Sequence, residues 1–273
     1  MAYHIRSISM PPTSHPTIHR VDEELHNLKA RLASSKTAHM VPEGLRSVGD
    51  VYEIIEELLR LPSSLQSIQS CPTKWVEEQL DCSLQLLDLI GVARESLVMI
   101  REHVKDIESA IRRKGNEVSE TKKKAQKIIK DALKSLNLMG GKSVSCCVDY
   151  NNNQLFKVSI EAREVTISLL GLVLSCLSKP KTKTSRWSFF KSISKRKVAC
   201  EGEVAPSEEN IDTWLQASYY CILSNDVNAI MVEKAHNDLQ TIAERMESLE
   251  SGLEVLFKKL VQNRVSLLNI LSL

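Results

Sequence analysis

The chain has 273 residues, of which 42% are hydrophobic, 26% are charged and 4% are aromatic. Those proportions are typical of a folded globular protein and argue against a disordered chain. Because 36 basic residues are balanced by 34 acidic ones, the net charge of +2 excludes a strong overall attraction to nucleic acid. Nine glycines and eight prolines are too few for the frequent turns of an all-β protein, so an all-α fold is expected.

The cysteines and the N-terminal composition indicate where in the cell the protein is located. The seven cysteines are scattered and contain no C-x-x-C pair, which argues against a secreted disulfide scaffold and a zinc module. An intracellular protein is therefore expected. Residues 1–16 are rich in Ser, Pro and Thr, which predicts a disordered N-terminus before a helical domain at 17–273. The first twenty residues also lack acidic side chains, as organellar transit peptides do.

Apolar residues recur every three or four positions in the first half of the chain, which is the pattern of helices with one buried face. Two helices are predicted around residues 21–32 and 42–61, the second ending before Pro62. A third pattern covers residues 73–114, either as one long helix or as two helices broken near Gly91. Its predicted buried face comprises Leu80, Leu84, Leu87, Gly91, Leu97, Ile100, Val104, Ile107 and Ile111.

Two further helices are predicted in the middle of the chain. A basic helix covers residues 125–136 and ends at a pair of glycines, Gly140 and Gly141. The next covers residues 155–176, and its last part is apolar for thirteen residues with few exceptions. A membrane-spanning helix needs about 20 such residues, so a buried core helix is expected instead. The predicted architecture is a single elongated bundle of about six or seven helices.

The final helix has a heptad pattern of apolar residues over about four heptads. The eight positions of this heptad seam are Ala235, Leu239, Ile242, Met246, Leu249, Leu253, Leu256 and Leu260. Such a seam packs against helices of the same chain or against a second copy in a homodimer. Gly252 inside the helix costs up to about 1 kcal/mol, which disfavours a free-standing coiled coil. Packing within the chain is therefore the preferred interpretation.

A basic aromatic segment lies within a predicted exposed loop at 179–205. Residues 179–197 contain eight Lys or Arg residues and no acidic residue. Cations attract anionic lipid headgroups and aromatic rings favour the membrane interface, so this composition suits an anionic membrane surface. The alternatives are a nuclear import signal at 195–197 and a plain solvated linker. The candidate residues are Lys183, Arg186, Trp187, Phe189, Phe190, Lys191, Lys195, Arg196 and Lys197.

The N-terminus carries a candidate phosphorylation site at Ser9. Residues 6–11 read Arg-Ser-Ile-Ser-Met-Pro, a form that phosphoserine-binding adaptor proteins accept once Ser9 is phosphorylated. An arginine three residues before the serine suits both kinase access and a charge-assisted contact with phosphate. The hypothesis is an adaptor protein as a phosphorylation-dependent partner.

Motifs for catalysis are absent from the sequence. It contains no nucleophile elbow, P-loop, dinucleotide fingerprint or zinc-protease motif, and the spacing of its seven histidines does not suit a metal. No catalytic, cofactor-binding or metal-binding residue is therefore predicted. The competing hypothesis is an enzyme whose polar residues converge only in the fold, through His103 or through Glu53, Glu56 and Glu57.

Short blocks along nearly the whole chain carry a family resemblance: Ser14–Pro16, Arg20-Val21, Glu23–Leu25, Leu28, Gly44-Leu45, Val51–Glu53, Leu58–Pro62, Lys74–Glu77, Asp81, Ser83, Leu86–Asp88, Arg101–Val104 and Arg112–Lys114. In this order they resemble a plant-specific, all-helical family related to the BYPASS proteins. The resemblance implies a role in root and shoot development, without a mechanism or catalytic residues, and some members are labelled chloroplastic. We expect a non-enzymatic interaction or regulatory protein in the cytoplasm or at a membrane surface. A coiled-coil scaffold in the nucleus is the alternative.

Overall fold

The computed structural model describes residues 16–34, 40–69, 74–113, 154–177 and 229–272, together with residues 127–132, 134, 135 and 138. These residues are almost entirely helical and contain no strand, which confirms the predicted all-α bundle. The predicted disordered N-terminus with Ser9 lies outside the described residues. So does the basic loop at 179–205.

Six helices have defined bounds: α1 (Pro16–Ser34), α2 (Val41–Leu59), α3 (Pro62–Gln69), α4 (Lys74–Arg113), α5 (Gln154–Leu177) and α6 (Ala229–Leu271). With 40 and 43 residues, α4 and α6 are about 60 and 65 Å long at about 1.5 Å per residue. A further helical stretch at 127–132 contributes Ile129 and Ala132 to the core. The apolar spacing correctly predicted helices at the positions of α1, α2, α4, α5 and α6.

Helix α3 is the element that the sequence pattern missed. At the end of α2 the backbone N–H of Arg60 donates to Glu57, and that of Leu61 donates to Leu58. A new helix then begins at Pro62, which occupies its first turn. Proline is tolerated there because the first N–H groups of a helix have no partner within the helix. Pro62 therefore ends one helix and starts the next.

Helix α4 is continuous through Gly91, so the long-rod alternative is the correct one. Among the described positions of its predicted buried face two are wrong, because Leu84 is 47% exposed and Gly91 is also exposed. The side chains of Ile107 and Ile111 lie outside the described part. The true buried face alternates steps of three and four residues and includes small or polar side chains, which hid it from the apolar pattern. That face comprises Ser83, Leu86, Ile90, Ala93, Leu97, Ile100 and Val104.

One hydrophobic core joins the helices. Helix α2 contacts α1, α5 and α6, and α4 contacts α5 and α6. Every one of these five helices contributes fully buried side chains, for example Leu25, Leu45, Ile90, Leu169 and Leu256. Helix α2 is central to these contacts because it packs against three other helices, and it leaves one stripe exposed, formed by Glu43, Arg46, Asp50, Glu53 and Glu57.

The heptad seam packs into this core. Its seven residues from Leu239 to Leu260 are each at most 4% exposed, and α6 contacts α2 and α4 of the same chain. Ala235 lies in α6, but its side chain is outside the described part. The seam is therefore covered by helices of its own chain.

Among the helices that the structure describes, none has the length and apolar character required to cross a membrane. Helix α5, the most apolar of them, instead buries thirteen residues within the bundle, including Leu170 and Val173.

Candidate functional site

Polar side chains gather where α2, α4, α5 and α6 meet, around a cavity of about 20 Å³. A space of that size holds about one water-sized group. The residues that line this polar cavity are Tyr52, Ile55, Leu59, Trp75, Gln79, Cys82, Ser83, Leu86, Ser159, Arg163, Leu260, Asn263 and Leu267.

Arg163 supplies the formal positive charge of the polar cavity. Helical spacing places it on the same face of α5 as Ser159 and Thr166, which are also buried. Arg163 is only 9% exposed, and its Nη1 atom donates a hydrogen bond to Sγ of Cys82 at 3.2 Å. A thiol sulfur is a weak acceptor, and no described carboxylate forms an ion pair with this guanidinium. The charge is therefore buried with a poor partner.

Tyr52 brings a hydroxyl group from α2 to the edge of the cavity. Its oxygen lies 3.2 Å from Oγ1 of Thr166, and Thr166 itself donates to the carbonyl of Ala162 at 2.7 Å. A threonine hydroxyl has one hydrogen, so Tyr52 is the donor in the first bond. Burial raises the pKa of Tyr52 to about 12, although the positive charge of Arg163 lowers it. Tyr52 is therefore neutral at physiological pH.

Three further nitrogen atoms on the cavity wall are unusual. Nε1 of Trp75, Nε2 of Gln79 and Nδ2 of Asn263 are buried without a hydrogen-bond acceptor among the described residues. The indole of Trp75 is held by the ring of Phe156, with ring centroids 4.1 Å apart. All three nitrogens are donors, so the wall of the cavity offers more donors than the described protein satisfies.

Arg264 joins α6 to α4 beside the polar cavity. Its Nη1 atom donates to the backbone carbonyl of Leu80 and to Oγ of Ser83, the latter at 3.0 Å. The hydroxyl of Ser83 in turn donates to the carbonyl of Leu80 at 2.8 Å. Arg264 thus donates to neutral acceptors, and these bonds join α6 to α4, two of the helices that form the cavity wall.

The residues named in the two forms of the enzyme hypothesis lie outside the polar cavity. Glu53 forms an ion pair with Lys259 at 2.9 Å, and Glu56 pairs with Arg60. Glu57 is exposed on α2, and His103 is buried on α4. None of these four residues lines the polar cavity.

Metal ligands were not predicted, and the described ranges contain no group of three or more His, Cys, Asp or Glu side chains that could hold a metal ion. Neither Cys82 nor Cys176 forms a disulfide with another described residue.

The predicted site residues and the cavity residues share one member, Leu260, which is the last position of the heptad seam. The basic aromatic segment, from Lys183 to Lys197, and Ser9 lie outside the described residues, and the heptad seam lies in the core. The polar cavity was missed because its residues come from four helices that are distant in the sequence. The available signal was Arg163, whose helical spacing from Phe156, Ser159, Thr166 and Leu170 puts it on a face that is otherwise apolar or small.

Comparison with known proteins finds similarity at the level of a family. No curated protein and no solved structure matches the chain. A family model described as Protein BPS1 matches residues 44–270, a range that contains every residue of the polar cavity. Membership of that family indicates a role in plant development. Because the match covers most of its length, the chain belongs to the Protein BPS1 family, which is the BYPASS-related family that its sequence blocks resemble.

Proposed function

We propose that this chain is a non-enzymatic interaction protein in plant root and shoot development, and that its basic aromatic segment recruits it to anionic membrane surfaces. Recruitment of the chain to membranes is inferred from one observation. Residues 179–197, which include this segment, hold eight cationic residues, three aromatic residues and no acidic one, and they lie in the sequence between two helices that pack into the same core. The segment is therefore joined at both ends to one folded bundle.

The composition of the segment has the strength that such recruitment needs. Each Lys or Arg close to an anionic bilayer contributes about 1 kcal/mol, so several of them together give measurable binding. Trp187, Phe189 and Phe190 add apolar area that favours the interface. Six Ser and Thr residues between 182 and 194 would weaken the attraction when phosphorylated, because each phosphate adds negative charge.

The described helices support an interaction role over an enzymatic one. Glu53 and Glu56, which one form of the enzyme hypothesis invokes, form ion pairs with Lys259 and Arg60. The C-terminal part of α6 exposes apolar side chains at intervals of three residues, namely Val265 (50%), Leu268 (45%) and Leu271 (39%). Residues at that interval share one helical face, which offers apolar area to a protein partner.

A vesicle flotation experiment tests the recruitment. The full chain is mixed with phosphatidylcholine vesicles, with or without phosphatidylserine. Two variants are compared: one in which residues 183–197 are replaced by a Gly/Ser stretch of equal length, and one with Trp187, Phe189 and Phe190 changed to Ala. We expect the wild type to float only with anionic vesicles, the aromatic variant to bind less, and the replaced chain to stay in solution.

The salt dependence is a control for the electrostatic origin of binding. Raising the salt concentration shortens the screening length from about 10 Å at 0.1 M to about 3 Å at 1 M, so binding through the cations should fall steeply. Equal flotation of the wild type and the replaced chain would refute recruitment by this segment.

A further inference from the structure

We propose that the polar cavity between α2, α4, α5 and α6 binds a small monovalent anion, either a halide ion or a carboxylate group, with Arg163 as its positive partner. This ligand site is independent of the basic aromatic segment. It would give the bundle a small-molecule ligand in addition to a membrane surface.

The buried charge of Arg163 favours an anion as the ligand. A guanidinium group stays protonated in proteins, so burial cannot neutralise this side chain. Arg163 is 9% exposed, and its partner in the described structure is the weak acceptor Sγ of Cys82. A buried charge is costly unless it is paired with an opposite charge. An anion in the cavity would supply that pairing.

The hydrogen-bond donors of the cavity wall also favour an anion over a water molecule. Trp75, Gln79 and Asn263 line the cavity, and each carries a buried nitrogen donor that has no acceptor within the described part of the chain. Together with Arg163, these donors come from α4, α5 and α6. A water molecule accepts about two hydrogen bonds and has no net charge. An anion can accept more hydrogen bonds than a water molecule, and bonds to an ionised acceptor are the stronger ones.

The volume of the cavity favours a small anion. A cavity of about 20 Å³ admits one small group, which suits a halide ion or the end of a carboxylate ligand better than a phosphate group. A planar guanidinium also matches the two oxygens of a carboxylate. The neutral Tyr52 hydroxyl on the wall adds no competing negative charge.

The test follows the indole N–H signal of Trp75 by ¹H–¹⁵N NMR while sodium chloride, sodium acetate or sodium phosphate is added at matched ionic strength. The chain has three tryptophans, so the Trp75 signal is the one that remains when Trp187 and Trp214 are each changed to Phe. Three variants are compared. Arg163→Met removes the charge at similar length, Arg163→Lys keeps it, and Arg46→Gln removes an exposed arginine that bonds Ser251 on the surface.

We expect chloride or acetate to shift the Trp75 signal with saturation in the wild type and in the Arg46→Gln control. In Arg163→Met the apparent Kd should rise at least about tenfold, and Arg163→Lys should retain part of the response. Circular dichroism shows whether each variant is folded. If Arg163→Met does not fold, the Asn263→Leu variant replaces it and should weaken the response. A response to neither ion, an equal response without the Arg163 charge, or saturation by phosphate alone would overturn the proposal.

Discussion

A Cβ atom on Gly252 of α6 would lie 2.9 Å from the carbonyl oxygen of Pro42 and 3.1 Å from Cβ of Leu45, both at the start of α2. The two helices therefore approach each other so closely that only a glycine fits on the α6 side. From the sequence alone this glycine appears only as a weakness in a heptad-patterned helix. In the fold it allows α6 to pack against the central helix α2.

The glycine contact predicts that Gly252→Ala destabilises the protein. Alanine improves helix propensity by about 1 kcal/mol, but forcing a methyl group against a backbone carbonyl in a packed interface costs about 1–3 kcal/mol. Urea unfolding should show a lower free energy of unfolding than the wild type. Gly91→Ala is the matched control. Gly91 lies on the exposed face of α4, and a Cβ atom on it meets no atom within 4 Å. It should stabilise the protein by up to about 1 kcal/mol. Equal stability of the two variants would contradict this packing.

Tyr52 predicts a loss of stability at alkaline pH. Its pKa is about 12 in the folded protein and about 10 in an unfolded chain. Above pH 10 the unfolded state releases this proton while the folded state keeps it, so the free energy of unfolding falls as the pH rises towards 12. The free energy of unfolding falls by about 1.4 kcal/mol per pH unit in this range. The stabilisation that the raised pKa of Tyr52 provides is fully present below pH 10.

The control for this effect is Tyr52→Phe, which removes the titrating hydroxyl group. The variant loses one donor to Thr166, at a cost of about 1 kcal/mol near neutral pH. The difference in unfolding free energy between wild type and variant should shrink, and then change sign, as the pH rises from 10 to 12. A difference that stays constant over this range would show that Tyr52 titrates normally.

The heptad seam predicts a thermal unfolding midpoint that does not depend on protein concentration. Leu256 is fully buried on α6, and its helix packs on α2 and α4 of the same chain. The change Leu256→Ala should therefore lower the unfolding free energy by about 2–5 kcal/mol without altering the sedimentation mass from that of a 30.7 kDa monomer. A midpoint that rises with concentration would indicate a dimer formed through this helix instead.

The sequence predicted those helices whose buried faces are continuous runs of large apolar side chains. Val51, Ile54, Ile55, Leu58 and Leu59 of α2 are all buried as the spacing indicated. The same reasoning predicted α4 but misassigned part of its buried face, because Ser83 and Ala93 occupy buried positions and the apolar Leu84 is exposed.

The polar cavity was beyond such reasoning for a different physical reason. Periodicity reports which face of one helix is apolar, whereas the cavity depends on how four helices are arranged. Arg163 and Cys82 are 81 positions apart and make contact only because α4 and α5 pack together. A charged side chain on a buried helical face is the one local sign of such a site.

The most direct test of membrane recruitment is the location of a C-terminally tagged full chain in plant cells, with residues 183–197 intact or replaced by a Gly/Ser stretch of equal length. We predict a peripheral membrane signal for the intact chain and its loss on replacement. An unchanged distribution would contradict recruitment by the basic aromatic segment. A nuclear signal that disappears on replacement would contradict it too, and would identify Lys195-Arg196-Lys197 as an import signal.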